Sequence, residues 1–420
     1  MIKKLSARCV TTQFEKRQQI EFCDEQGVIL RIGELGFSDD ELDFNFPDQC
    51  LLFAGMGDVH IHAREDVSGK NTYKEDFLTA TEAMTNGGLC HCGDMPNNPV
   101  PPVDDESYSQ KFKLTAKTQG RIWMYAGIGP KTNPLSFKVP YKAYMGPSIG
   151  ELFFQNFDEL DEALSRYKNQ WVSFHCEDPE ILEKSKGEST HFDRRPVEAE
   201  VLGTRDALAL IERFGIKGKL CHYSSGEGLS LVREYRAKGG KVMVEVTPQH
   251  LYFSQENISD PQFFQMNPPI RSEEDRKNMW EAMMNGEIDF LATDHAPHTK
   301  DEKLKGTSGL TGLDTYAGFV CWLISQKVPL SIIAKMTSEN PGDFYNEFLE
   351  SFKKLDPENH RHPQGHLKVG FAANFTILNM QEPTLIDEGF LKTKVKHSPF
   401  LGITFPGKLE ALYKEGKRLV

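Results

Sequence analysis

The chain has 420 residues, 26% of them charged, and a formal net charge of −12. That acidity argues against non-specific nucleic-acid binding, which needs a basic face. No apolar run approaches the roughly 20 residues that a membrane-spanning helix requires. The length suits a large domain with a smaller one beside it, such as a barrel of about 250 residues with additions.

The opening stretch MIKKLSARCVTTQFEKRQQ has two lysines but no apolar core, so it does not read as a secretory signal. The eight cysteines are scattered, and Cys90-x-Cys92 is not a C-x-x-C pair. Reduced cysteines within apolar runs behave as small hydrophobes; the expected compartment is a reducing cytoplasm.

Residues 1–50 hold short alternating stretches, QQIEF and GVILRIG, punctuated by glycines, and read as antiparallel strands. From Leu51 the rhythm changes. Strand candidates LLFAGMGDVHIH, GLCHCGDM, RIWMYAGI, VPYKAYM, WVSFHCE, GKLCHYSS, KVMVEVTP and DFLATDHA alternate with amphipathic helical patterns. Several helical patterns end in glycine just past the last apolar position, a helix stop. Strand and helix alternating eight times predict an α/β fold, a TIM-like (β/α)8 barrel over 51–365. The fourth strand is crowded by Pro140 and Pro147. After the last barrel strand come helical patterns and then a return to short strands. The prediction is a small β-sandwich domain built from 1–50 and 366–420.

The stretch LLFAGMGDVHIHARED organises the rest. On a strand, alternate side chains share a face, so His60, His62 and Arg64 point together. Paired imidazoles ligate zinc and its neighbours, and an arginine beside them can fork onto a carboxylate or phosphate. In a (β/α) barrel the chemistry sits at the C-terminal strand ends. Those ends also carry Asn97, Lys142, His175 followed by Glu177, His222 and Asp294. Cys176 and Cys221 are expected to face away from the barrel centre. His360, His362 and His366 lie in a Pro- and Gly-bearing loop without an acidic ligand and are rejected as a metal cluster. His91 and His250 are read as structural.

The order His-x-His, Lys, His, His, Asp resembles the amidohydrolase superfamily. DVHIHARE, GGLCHCGDMPNN, SFHCED, CHYSS, EVTPQHL, MNPPIRSEEDR and LATDHAPHTKDEK together resemble the dihydroorotases within it. The resemblance implies two zinc ions per chain, bridged by a hydroxide and by an N-carboxylated Lys142. His60, His62 and Asp294 would hold one ion, and His175 and His222 the other. Lys138 competes with Lys142 for the bridging role. The implied reaction is the reversible cyclisation of N-carbamoyl-L-aspartate to (S)-dihydroorotate, with Asp294 moving the proton. Arg64, Asn97 and His298 would bind the substrate carboxylate, and Asn267 and the backbone near Gly309 the ring amides. Asn97 and Asn267 also sit in proline-containing turns where Asn is common, and His298 also fits a surface loop. A homodimer and an aspartate transcarbamoylase partner are further implications. Two departures stand out: Gln249 replaces a histidine of the pattern, and Ser308 stands where an aromatic residue is common. The competing readings are another cyclic amidase, acting on hydantoin, dihydropyrimidine or allantoin rings, and an inactive homologue serving as an assembly partner.

Overall fold

A computed structural model describes residues 1–146 and 152–420; Pro147 lies outside them. Two apolar clusters organise the chain, each built by a different periodicity.

The first is enclosed by an eight-stranded sheet drawn from both chain ends. Its order runs Lys417–Arg418, Lys408–Lys414, Phe375–Asn379, Cys50–Ala54, Ile2–Val10, Glu15–Cys23, Val28–Gly33, with Phe44–Asn45 pairing beside Ile2–Val10. Alternation puts Leu5, Ala7 and Cys9 on one buried face. Phe22 and Phe375 stand three strands apart, a span of about 14 Å in a flat sheet. Their ring centroids are nevertheless 5.5 Å apart, and Val28 bridges Ala372 antiparallel. The sheet therefore curls around its own core, while Leu51, Phe53 and Leu378 on its other face join the larger cluster.

That larger cluster fills and surrounds the parallel strands. Met56–Ile61 pairs with Leu89–Asp94, which pairs with Ile122–Met124. Tyr125 interrupts this third strand, which resumes as Ala126–Ile128 and pairs with Tyr141–Tyr144. Trp171–His175, Lys217–Leu220, Val242–Val246 and Phe290–Leu291 follow in order. A parallel bridge from Ile61 to His295 closes the ring. The strands fit an eight-stranded barrel, and helices such as Phe77–Asn86, Val197–Phe214 and Glu273–Met284 cover it. Asp76 and Ser272 cap two of these through their side chains, and Gly215, at φ 64°, ends the longest.

The domain limits differ from the sequence expectation in two places. Cys50–Ala54 pairs with Ile2–Val10 and Phe375–Asn379, so it belongs to the terminal sheet and not to the barrel. The chain crosses over at Gly55, where a Cβ would come within 2.5 Å of Cys90 Sγ. Conversely, Ile386, Leu391, Phe400 and Phe405 pack into the barrel cluster, so much of 380–406 covers the barrel. Among the described residues no helix is long and apolar enough to cross a membrane.

Candidate active site

Barrel topology brings strand ends together, and here it gathers the predicted residues at one rim. A cavity of about 360 Å³ is lined by His60, His62, Arg64, Asn97, His175, His222, Asn267, Asp294, His298 and Gly309. Lys142 is fully buried beside it, its Nζ 5.2 Å from the Tyr144 ring centre.

Four imidazoles converge. Ring centroids lie 5.3 Å apart for His60 and His62, 5.2 Å for His60 and His222, and 4.7 Å for His175 and His222. Asp294 Oδ1 stands 3.0 Å from His62 Nε2 and 3.3 Å from His60 Nε2. Three rings are pinned from behind. His60 Nδ1 meets Glu245 Oε2 at 2.9 Å, His62 Nδ1 meets Asn97 Oδ1 at 2.7 Å, and His175 Nε2 meets Glu177 Oε2 at 2.7 Å. Such outer partners fix a ligating imidazole's tautomer and aim. The inward atoms are left over: His60 Nε2 and Lys142 Nζ have no hydrogen-bond partner among the described residues, although both are buried. Burial first, with Lys142 nearby, holds His60 well below the ordinary histidine range; burial, with His175 nearby, does the same to His222. Neutral imidazole is the form that ligates metal. Buried imidazoles, a carboxylate and an orphaned amine around one point fit a divalent metal centre. His60, His62 and Asp294 are a group close enough to hold one ion.

The backbone is bent to make this rim. Arg64, His222 and Asp294 all have positive φ, at 65°, 36° and 47°. Non-glycine residues avoid this region, at a cost of about 1–3 kcal/mol each. Neighbouring anchors impose it. Ala63 N–H donates to Asp94, Tyr223 N–H to the Glu245 carbonyl, and Thr293 N–H and Oγ1 to buried Asp58.

Arg64 is buried, with Nη2 3.0 Å from His298 Nε2 and Nε donating to the Pro297 carbonyl at 3.3 Å. His298 Nδ1 faces Lys74 Nζ at 3.2 Å and Glu302 at 3.5 Å. His298 thus props the guanidinium from behind. Asn97 holds His62, and one of its amide atoms remains for a ligand. Gly309, at φ 138°, leaves no room for a Cβ, which would come within 2.5 Å of the Ala296 carbonyl. Its N–H donates to Gln265 and its carbonyl accepts from Lys303, both at 2.9 Å, so it shapes the wall.

Sequence reasoning missed several residues. Tyr144 and Arg195 line the cavity, and Arg195 pairs with Glu177. Tyr144 lies two residues after Lys142 on one strand, so alternation could have found it; nothing in the sequence marks Arg195. Cys176 faces Thr204 of the long helix, as expected. Cys221 does not face away: its sulfur is within 4.8 Å of ligand atoms of His60 and Glu245. Lys219 and Cys221 share the inward face, and the positive φ at His222 swings the next side chain onto the rim as well. His360 bonds Tyr345, His362 the Gln26 carbonyl and His366 Asp343, so these three are dispersed. His91 accepts from Trp123, and His250 bonds Thr247.

No family model matches the chain. It is 30% identical to the dihydroorotase of Shouchella clausii over 396 residues, covering 87% of this chain and 86% of that one. It is 28% identical to the dihydroorotase of Pyrococcus furiosus over 361 residues, covering 86% and 79%. Among solved structures, the L-hydantoinase (dihydropyrimidinase) from Arthrobacter aurescens superposes with a TM-score of 0.87 at 22% identity, over 100% of this chain and 96% of that one. The D-hydantoinase (dihydropyrimidinase) from Thermus sp. gives 0.81 at 18% identity, over 99% and 95%. At those identities the structural likeness establishes a shared fold, and the sequence match establishes the closer kinship. The chain belongs to the dihydroorotase family of the amidohydrolases.

Proposed function

We propose that this chain is a dihydroorotase. It interconverts N-carbamoyl-L-aspartate and (S)-dihydroorotate plus water, the third step of de novo pyrimidine synthesis. The observation that carries this reading is Arg64, a buried guanidinium on the rim of a candidate metal centre. A buried cation needs an anionic partner, and dihydroorotate offers a ring carboxylate that hydantoin and dihydrouracil lack.

In this reading His60, His62 and Asp294 would hold one zinc ion and His175 and His222 a second, with an N-carboxylated Lys142 as a further ligand. A carboxylated lysine explains how an amine with no protein partner is tolerated in full burial: it becomes an anion with two oxygens. When bound, the ion pair supplies Lewis acidity that polarises a carbonyl and makes water acidic enough to attack at neutral pH. The chain's own groups do the rest. Asp294 faces the cavity: on ring opening it takes the proton from the attacking oxygen and delivers it to the departing ring nitrogen, and on closure it carries a proton from that nitrogen to the leaving oxygen. Arg64 fixes the substrate carboxylate, with His298 fixing Arg64. Asn267, whose buried Oδ1 has no protein partner among the described residues, accepts from a ring N–H. Glu177 and Glu245 keep His175 and His60 aimed.

Two structural readings accompany this one. The curled terminal sheet with its own apolar core supports a separate β-sandwich-like unit beside the barrel. Eight free, buried cysteines support a reducing compartment, the cytoplasm.

The test is ring opening followed by ultraviolet absorbance for dihydroorotate, dihydrouracil, hydantoin and allantoin, with and without a chelator. Chelator-sensitive turnover of dihydroorotate above the other three is expected. Preference for a ring without a carboxylate would overturn the reading.

A further inference from the structure

Two arginines line the cavity, Arg64 and Arg195, and their surroundings differ. Arg64 meets His298 and the Pro297 carbonyl and has no ion pair among the described residues. Arg195 has one. Its Nε donates to both oxygens of Glu177, at 3.0 and 3.2 Å, and its Nη2 pairs with Oε2 of the same buried carboxylate. Its Nη1 makes no hydrogen bond among the described residues. The backbone here is fastened as well. The Arg195 carbonyl accepts from Arg271 Nη1 at 2.6 Å, and His191 Nε2 donates to the Met266 carbonyl at 2.9 Å. These two bonds tie residues 191–195 to the loop 266–271, which carries Asn267, so Arg195 and Asn267 share one wall of the cavity.

We propose that Arg195 is a specificity-determining residue whose Nη1 donates to the ureido carbonyl of the substrate, the C=O that stands between two nitrogens in ring and open chain alike. The proposal rests on the dihydroorotase reading above. Dihydroorotate presents a carboxylate, a scissile carbonyl, ring N–H groups and this ureido carbonyl. Arg64, the candidate metal centre and Asn267 answer the first three. The ureido carbonyl still needs a donor, and it adjoins both ring N–H groups, so it lies next to whichever one Asn267 accepts from. A buried guanidinium without a counter-ion calls for an anion, which suits Arg64 to the carboxylate. Arg195 already has its carboxylate, and its spare N–H groups suit a neutral acceptor. Held through Nε and Nη2, the planar fork aims Nη1 with little further ordering. The rival donor is the Tyr144 hydroxyl, which is buried without a partner among the described residues. Its ring, however, stands over Lys142 Nζ, among the candidate metal ligands.

Arg195→Lys keeps a cation for Glu177 and removes Nη1. The full chain and this variant are each assayed with dihydroorotate and with its thio analogue, in which sulfur, a weak acceptor, replaces the ureido oxygen. The readout is the ratio of kcat/KM for the oxygen ring to that for the sulfur ring. A sulfur ring that binds without opening is read through its inhibition constant instead. Intrinsic differences between the rings are the same for both proteins and cancel, as in a double-mutant cycle. The ratio is expected to fall by about threefold or more in the variant. A role only through Glu177 and His175 would slow both rings alike and leave the ratio where it was. A change of less than about threefold would therefore overturn the proposal alone, however far the absolute rates fall. An unmodified chain that does not open dihydroorotate would overturn the dihydroorotase reading and the proposal with it. Should Arg195→Lys fail to fold, Arg195→Gln, which keeps an N–H donor for Glu177, carries the test on the same criterion.

Discussion

Replacing Arg64 by methionine removes the cation from the cavity rim while keeping much of the side-chain bulk. Arg64 is 5% exposed, and its protein contacts are His298 Nε2 through Nη2 and the Pro297 carbonyl through Nε. Its Nη1 has no protein hydrogen bond among the described residues, which leaves an edge of the fork for a ligand. A bidentate pair with a carboxylate comprises two charge-assisted hydrogen bonds of about 1.5–3 kcal/mol each. Their joint loss, about 3–6 kcal/mol, corresponds to a fall in kcat/KM of about a hundredfold to about 20,000-fold. The assay is dihydroorotate opening, with dihydrouracil as the control ring. Dihydrouracil has no carboxylate to lose, so any activity on it should change by less than about threefold on the same scale. Equal losses on both rings, or a loss below about tenfold on dihydroorotate, would refute the carboxylate role.

Asp294→Asn keeps the shape of the side chain and removes the base. Turnover should fall by at least about a hundredfold while zinc, counted by elemental analysis, stays bound to a folded protein. Lys142→Ala should remove any dependence of zinc reconstitution on bicarbonate and abolish activity; in the unmodified chain, reconstitution without bicarbonate should give little activity. Glu302 gives a pH test. Burial raises its pKa, but hydrogen bonds from Lys74, the Thr299 N–H and Tyr73 outweigh that and bring it from 4.5 down to about 2. A depressed folded pKa means that its stabilisation is complete above pH 4.5 and is lost as pH falls through about 2. The stability gap between the unmodified chain and Glu302→Gln, from urea melts at stepped pH, should close over that interval.

The histidines were legible because two independent regularities agree on them: period-two alternation along a strand and convergence of strand ends in a barrel. His60, His62, His175, His222 and Asp294 needed no more. What holds those groups was not legible. Glu245 and Lys219 read as ordinary charges in a strand, since nothing local says that one residue's carboxylate will meet another's amine on the neighbouring strand. Asn97 was expected at the substrate, yet its carbonyl turns to His62, a choice made by distance and not by residue type. The placement of Cys221 failed for a backbone reason: alternation assumes regular strand angles, and the chain leaves them at His222. Apolar runs also do not state their sheet. LLFAGMGDVHIH reads as one strand, but Gly55 divides it, and the two halves serve different cores.

The strand Cys50–Ala54 sits between Ile2–Val10, made just before it, and Phe375–Asn379, made some 320 residues later. During synthesis that edge must wait for the far end of the chain, open and able to pair with other molecules. The barrel, by contrast, gains its strands largely in order. Growing chains should therefore depend on chaperones until the last strands emerge, and truncations that remove Lys408–Lys414 should aggregate through the exposed sheet edge while the metal ligands remain intact.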